Sequence, residues 1–203
     1  MNNKSDEKIW DNFRKGDDNA LSHIYYQYVQ DLFRYGKKFY DDDELIKDMI
    51  QALFFDLIRT RKNLGPTDNI KFYLITSFRN KLALVAKKGK FFERPTEANM
   101  MKADIVYSIE KEMIEEEELS ENKRLVQDAL KELSPKQREI LYYKYTCDFS
   151  YEQICEVMSL KYDSARKQVF RALRSLRKAL GDKGSVLLLL AFSSQRNIFS
   201  KNN

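Results

Sequence analysis

The residues with the plainest chemical purpose lie between Ser150 and Leu180. Arg166, Lys167, Phe170 and Arg171 stand at i, i+1, i+4 and i+5, one side of a helix, and from Met158 to Lys178 seven basic residues face a single acid, Asp163. Such a row suits recognition of a polyanion rather than bond breaking. An arginine can hold guanine O6 and N7 bidentately, a phenyl ring can touch a thymine methyl, and a major groove admits a helix. Catalytic sets are missing: there is one histidine, His23, inside an amphipathic segment, with no Ser/His/Asp or Cys/His grouping. Cys147 and Cys155 read as core thiols of a reducing cytoplasm. The acidic runs Asp41 to Glu44 and Glu115 to Glu118 place consecutive carboxylates in different directions around a helix, so they read as solvated, not metal-binding. Neither enzymatic activity nor a cofactor, metal or small-molecule substrate is expected.

The elements that must position the basic row form a helix-turn-helix. Ser150 and Gln153 have capping-box spacing and precede Ile154 with Val157 or Met158, a short first helix. A turn over Ser159 to Lys161 feeds a second helix, on which Ala165, Val169, Ala172, Leu173, Leu176 and Leu180 recur at three- and four-residue spacing and must be buried. Lys161 breaks the rule for a good N-cap. A basic amphipathic helix by itself could face water or an acidic protein; the capped helix ahead of it favours DNA. Upstream, Leu125, Ala129, Leu130 and Leu133 mark another helix, ending before a second capping box with proline at its first helical position, Ser134-Pro135-Lys136-Gln137, after which Ile140, Leu141 and Tyr145 pack the next helix. Residues 121–181 thus read as a four-helix DNA-binding domain.

Composition fits this reading. The 203 residues, 43% hydrophobic, can build one large or two small cores, and a net charge of +5 suits a polyanionic partner. Only six glycines and three prolines point to an all-α chain with few tight turns. In the front half, Trp10 and Phe13 belong to a short helix broken at Gly16; Leu21, Ile24, Tyr25, Tyr28, Leu32, Tyr35 and Phe39 trace a second. A long third carries Leu45, Met49, Ala52, Leu53, Asp56 and Leu57 on one face, widened by Phe54, Phe55 and Ile58, with Asp48 and Gln51 exposed. Gly65 and Pro66 break it, and the loop Asn63 to Asn69 leads into a helix with a basic, aromatic-flanked end: Arg79 to Arg94 holds six basic residues against Glu93, near Tyr73, Phe78, Phe91 and Phe92. Rings interleaved with cations suit unstacked bases and phosphates, although most of these rings also suit a core. From Met101 to Glu121 eight acids oppose two lysines, a linker or loosely helical spacer. The polar N-terminus is unlike a signal peptide, and Val186 to Phe192, VLLLLAF, is far short of the roughly 20 apolar residues that span a bilayer. A cytoplasmic chain with no membrane insertion is expected.

Taken together these segments resemble an RNA polymerase sigma factor of the extracytoplasmic-function type, the two-domain minimal form of the sigma-70 family. Gly16-Asp17 with Ala20-Leu21, Ile24-Tyr25 and Tyr28 is similar to the first helix of that family's region 2, and Asp48 to Phe55 resembles its region 2.2, with Ala52 in place of the usual acid. Phe72-Tyr73-Leu74 through Arg79-Asn80 resembles regions 2.3 and 2.4, with Leu84 where an Asp is frequent. Leu133 to Arg138, Tyr151 to Ile154, and Ser164-Ala165-Arg166 through Arg171-Ala172 match region 4. The resemblance implies an all-α fold of two small helical domains: a region 2-like domain over 1–92, an acidic linker over 93–120, a region 4-like helix-turn-helix domain over 121–181, and a tail over 182–203 without an assigned role.

What the resemblance implies for partners is core RNA polymerase, promoter DNA and an anti-sigma protein. Asp48, Gln51 and Phe55 would meet the polymerase, with Ala52 standing where the family carries an acid. Asn63 in the loop, with Lys71, Arg79, Asn80, Lys87 and Lys88, would bind the opened −10 element, while Arg166, Lys167, Phe170 and Arg171 would read the −35 duplex. Two other classes stay open: a helix-turn-helix regulator that binds DNA without polymerase, and a protein-interaction module whose basic faces meet acidic proteins.

Overall fold

A computed structural model describes residues 3–87 and 116–181, and all of the regular structure in them is helical. The chain divides into two compact units, Met1–Thr96 and Glu97–Asn203. The expected all-α class, with a helix-turn-helix at its C-terminal side, is what the backbone adopts.

The first unit is built from α1 (Asn3–Lys15), α2 (Asp18–Gly36), α3 (Asp43–Thr60) and α4 (Ile70–Lys87), with a single 3-10 turn at Arg61–Asn63. Acids start two of these helices: the Asp17 side chain accepts from the Asn19 and Ala20 amides, and Asp42 from those of Glu44 and Leu45. Gly16 at φ +97° ends α1 as the sequence implies. Trp10, Phe13, Ile24, Leu32, Tyr35, Leu74 and Phe78 are buried together with the inner face of α3.

That inner face differs from the expected one. It is Ile46, Met49, Ile50, Leu53, Phe54 and Leu57; Leu45 is half-buried, and Ala52, Phe55 and Ile58 are exposed. Helix α3 is apolar over so much of its circumference that spacing alone does not choose the buried stripe; the neighbours α2 and α4 do. Gly36 shows how close they come. A Cβ there would lie 2.7 Å from Ile46 Cγ2 and 3.4 Å from Phe78 Cε1, so the end of α2 packs against both other helices only because that residue lacks a side chain.

The second unit holds α5 (Glu116–Lys131), α6 (Pro135–Leu141), a π turn over Tyr142–Thr146, α7 (Tyr151–Met158) and α8 (Tyr162–Leu180). Both capping boxes form reciprocally: Ser134 with Gln137, and Ser150 with Gln153. Helix α5 starts at Glu116, inside the segment read as spacer. Leu125, expected in the core, is 38% exposed, and its neighbour Val126 is buried in its place. The rest of the acidic stretch, and the apolar run Val186 to Phe192, lie outside the described residues. No described helix is long and apolar enough to cross a membrane.

Candidate nucleic-acid interface

The turn that presents α8 is made by local backbone chemistry. Ser159 adopts the left-handed conformation at φ 54°, its amide donates to the Glu156 carbonyl at 3.3 Å, and the Leu160 amide donates to the Cys155 carbonyl at 2.9 Å, the paired bonds of a Schellman ending. Lys161 then runs extended into α8 without any side-chain cap, as its type requires. Ala165, Val169, Ala172 and Leu176 are buried against the domain. That orientation turns Arg166, Lys167 and Arg171 outward and leaves Phe170 66% exposed. None of the three cations pairs with another described residue. A row of unneutralised cations around an exposed ring can meet phosphates and base edges at once.

A buried cation holds the frame behind this helix. Arg138 is 8% exposed, and its Nη1 donates to the carbonyls of Leu130 (3.3 Å), Lys131 (3.3 Å) and Leu133 (2.6 Å), around the end of α5, where a helix has too few backbone donors of its own. Burial pulls its guanidinium below the usual arginine value. Gln137 Nε2 donates to Ser175 Oγ at 3.0 Å, tying the second capping box to α8. Sequence reasoning also missed an aromatic corner at the start of α8. Tyr162 is 46% exposed, its ring 5.7 Å from that of Tyr151, over which Lys144 Nζ stands at 5.0 Å. Tyr162 precedes Arg166 by one helical turn, and that spacing was its only signal in the sequence.

In the first unit the candidate residues are spread over α3, the loop after it and α4. Asp48 and Gln51 are exposed on α3, and Phe55, 62% exposed, joins Tyr25, Phe33 and Ile58 in lining an open groove of about 670 Å³ between α2 and α3. Asn63 is exposed at the start of the loop, and Asn80 is exposed on α4. Lys71 is only partly accessible and lies 2.9 Å from Asp31, and Arg79 is half-buried. The side chain of Lys87, and Lys88 altogether, fall outside the described residues.

Capped first helix, left-handed turn and cationic second helix define a helix-turn-helix DNA-binding domain in the second unit. Residues 123–176, from within α5 to Leu176 of α8, match the family described as sigma-70, region 4. The match lies within the second unit and likens that unit to region 4 of sigma-70. No curated protein matches the chain.

Proposed function

We propose that this chain is a sigma factor of the extracytoplasmic-function type, which binds core RNA polymerase and directs it to promoters in the cytoplasm. The single observation that carries the proposal is the cation row of α8, without partners among the described residues, within a segment that matches sigma-70 region 4. Arg166, Lys167, Phe170 and Arg171 read the −35 duplex, and the first unit binds the opened −10 strand through Asn63 and through Arg79, Asn80 and Lys87 of α4. The α2–α3 groove, apolar beside Asp48 and Gln51, supports polymerase docking, since exposed rings next to polar contacts are what a protein interface uses. The chemistry of initiation belongs to the polymerase. An anti-sigma protein is the regulator such a chain calls for.

Reconstitution tests this reading. Core RNA polymerase with the purified chain is expected to initiate at defined positions on genomic DNA fragments. A helix-turn-helix regulator would bind DNA without supporting initiation, and an interaction module would do neither.

A further inference from the structure

We infer that α1 is a positioning brace for the loop Asn63 to Asn69, and that Asp6 and Trp10 preset the backbone on which the first unit reads an unpaired base; the inference rests on the proposed role of that loop. Helix α1 touches the loop region in three places. At its far end, Asp6 Oδ2 accepts the Ile70 amide at 3.0 Å, supplying α4 with a cap from a residue 64 positions earlier. Near its middle, Trp10 Nε1 donates to the Gly65 carbonyl at 2.8 Å. Ahead of it, Gly16 at the end of α1 lies against the Arg61 guanidinium, where a Cβ would stand 3.3 Å from Nη2.

These attachments are themselves fixed. Trp10 is fully buried, with its ring 4.8 Å from Tyr73 and 5.4 Å from Phe13. Asp6 is also buried, and the Tyr28 hydroxyl donates to the same Oδ2 at 3.4 Å. The internal hydrogen bonds of the loop gather at its end, where Thr67 Oγ1 and Asn69 exchange bonds and Asn69 Oδ1 accepts the Phe72 amide at 2.8 Å. Its middle is therefore held from behind by Trp10. The outer side stays open: Lys62, Asn63, Pro66 and Asp68 are exposed, and a Cβ on Gly65 would meet nothing within 4 Å. A loop clamped on one side and open on the other is preorganised, so a bound base need not meet the cost of ordering it. Asp6 and Trp10 act through the loop and touch no nucleic acid.

The test uses holoenzyme assembled from the full chain and core RNA polymerase, with single-stranded oligo(dA), oligo(dC) and oligo(dT) as probes. The readout is the ratio of tightest to weakest affinity, which a uniform loss of stability does not move. Trp10→Phe keeps a buried ring but loses the bond to Gly65, and is expected to lower the ratio about 3- to 10-fold, the scale of one hydrogen bond. Asp6→Ala should lower it as well, and Asp6→Asn, which keeps an acceptor for the Ile70 amide, should restore it. Asn63→Ala tests the loop itself. If Asn63→Ala lowers the ratio while Trp10→Phe and Asp6→Ala leave it intact, the brace is overturned and the base-reading loop stands. If the wild type shows no discrimination, or Asn63→Ala does not alter it, the loop does not read bases and the brace falls with it.

Discussion

On α4, Lys71 meets Asp31 of α2 at 2.9 Å and Lys81 meets Asp56 of α3 at 2.6 Å; on α8, Arg166, Lys167 and Arg171 meet no described carboxylate. Each acceptor on the first unit is shared, Asp31 with Arg34 and Asp56 with Arg59. Basic composition therefore has two meanings in one chain. Around α4 much of the charge is spent within the unit, stapling helices whose main attachment is the burial of Leu74, Ile75 and Phe78. Along α8 the row has no partner among the described residues, and the apolar stripe on the opposite face, with the Gln137–Ser175 hydrogen bond, attaches the helix. Half-exposed ion pairs stabilise little, so the contrast predicts that cations on α8 matter to DNA affinity and those at 71 and 81 to packing.

The largest effect should come from neutralising the free row. Arg166→Ala, Lys167→Ala and Arg171→Ala combined are expected to weaken duplex binding roughly 100-fold or more, and each lost phosphate contact should lower the salt slope by about one. The thermal midpoint should hardly move. Titrations at several salt concentrations, with calorimetry on the same variant, check both halves. A large drop in midpoint would erase the distinction between the two helices.

On the side of packing, Gly36→Ala should destabilise the first unit by about 1–3 kcal/mol, because the added methyl must displace Ile46 or Phe78 in a filled core. Duplex binding by the second unit should be unaffected. Denaturant unfolding followed through Trp10, the single tryptophan of the chain, isolates the first unit. An unchanged midpoint would mean that the α2–α3–α4 contact is looser than the geometry indicates.

The legible parts of this molecule are those set by neighbours in sequence. Ser134/Gln137 and Ser150/Gln153 announce their caps within one turn, and the stripe from Ala165 to Leu176 fixes which side of α8 faces out. The illegible parts depend on distant partners. Nothing near Asp6 says that it caps Ile70, nothing near Lys71 names Asp31, and Arg138 reads as one more surface cation until the carbonyls of Leu130 and Leu133 surround it. The stripe on α3 fails for another reason. With apolar residues at 45, 46, 49, 50, 53, 54, 55, 57 and 58, more than one face meets the helical period, and Phe55 and Ile58 are left exposed beside the groove.

A smaller effect of opposite sign tests whether the geometry of the turn and the charge of α8 are separable. Ser159 bears a left-handed backbone that glycine adopts without a Cβ penalty, so Ser159→Gly should stabilise the second unit by about 0.5–1 kcal/mol. Because the residue is not on the cationic row, DNA affinity at fixed temperature should stay the same. A change in affinity without a change in stability would show that the turn contributes to binding directly.

The smallest effect concerns pH and separates the two kinds of cation once more. Lys81, first by its hydrogen bond to the carboxylate, and Arg59 hold Asp56 below the ordinary carboxylate value. A carboxyl group depressed on folding stabilises the folded state above its unfolded pKa, about 3.9, and that contribution is lost as pH falls through the lower folded value. Wild type and Asp56→Asn should therefore differ by a constant, small amount in thermal midpoint from neutral pH down to about pH 5, and converge below about pH 4 as the acid becomes neutral like its amide. The pair is largely solvated, so high salt should shrink the difference. If the gap between the two proteins persists at the acid end, Asp56 is held by something other than charge, and the staple between α3 and α4 is not the ion pair that its 2.6 Å separation from Lys81 implies.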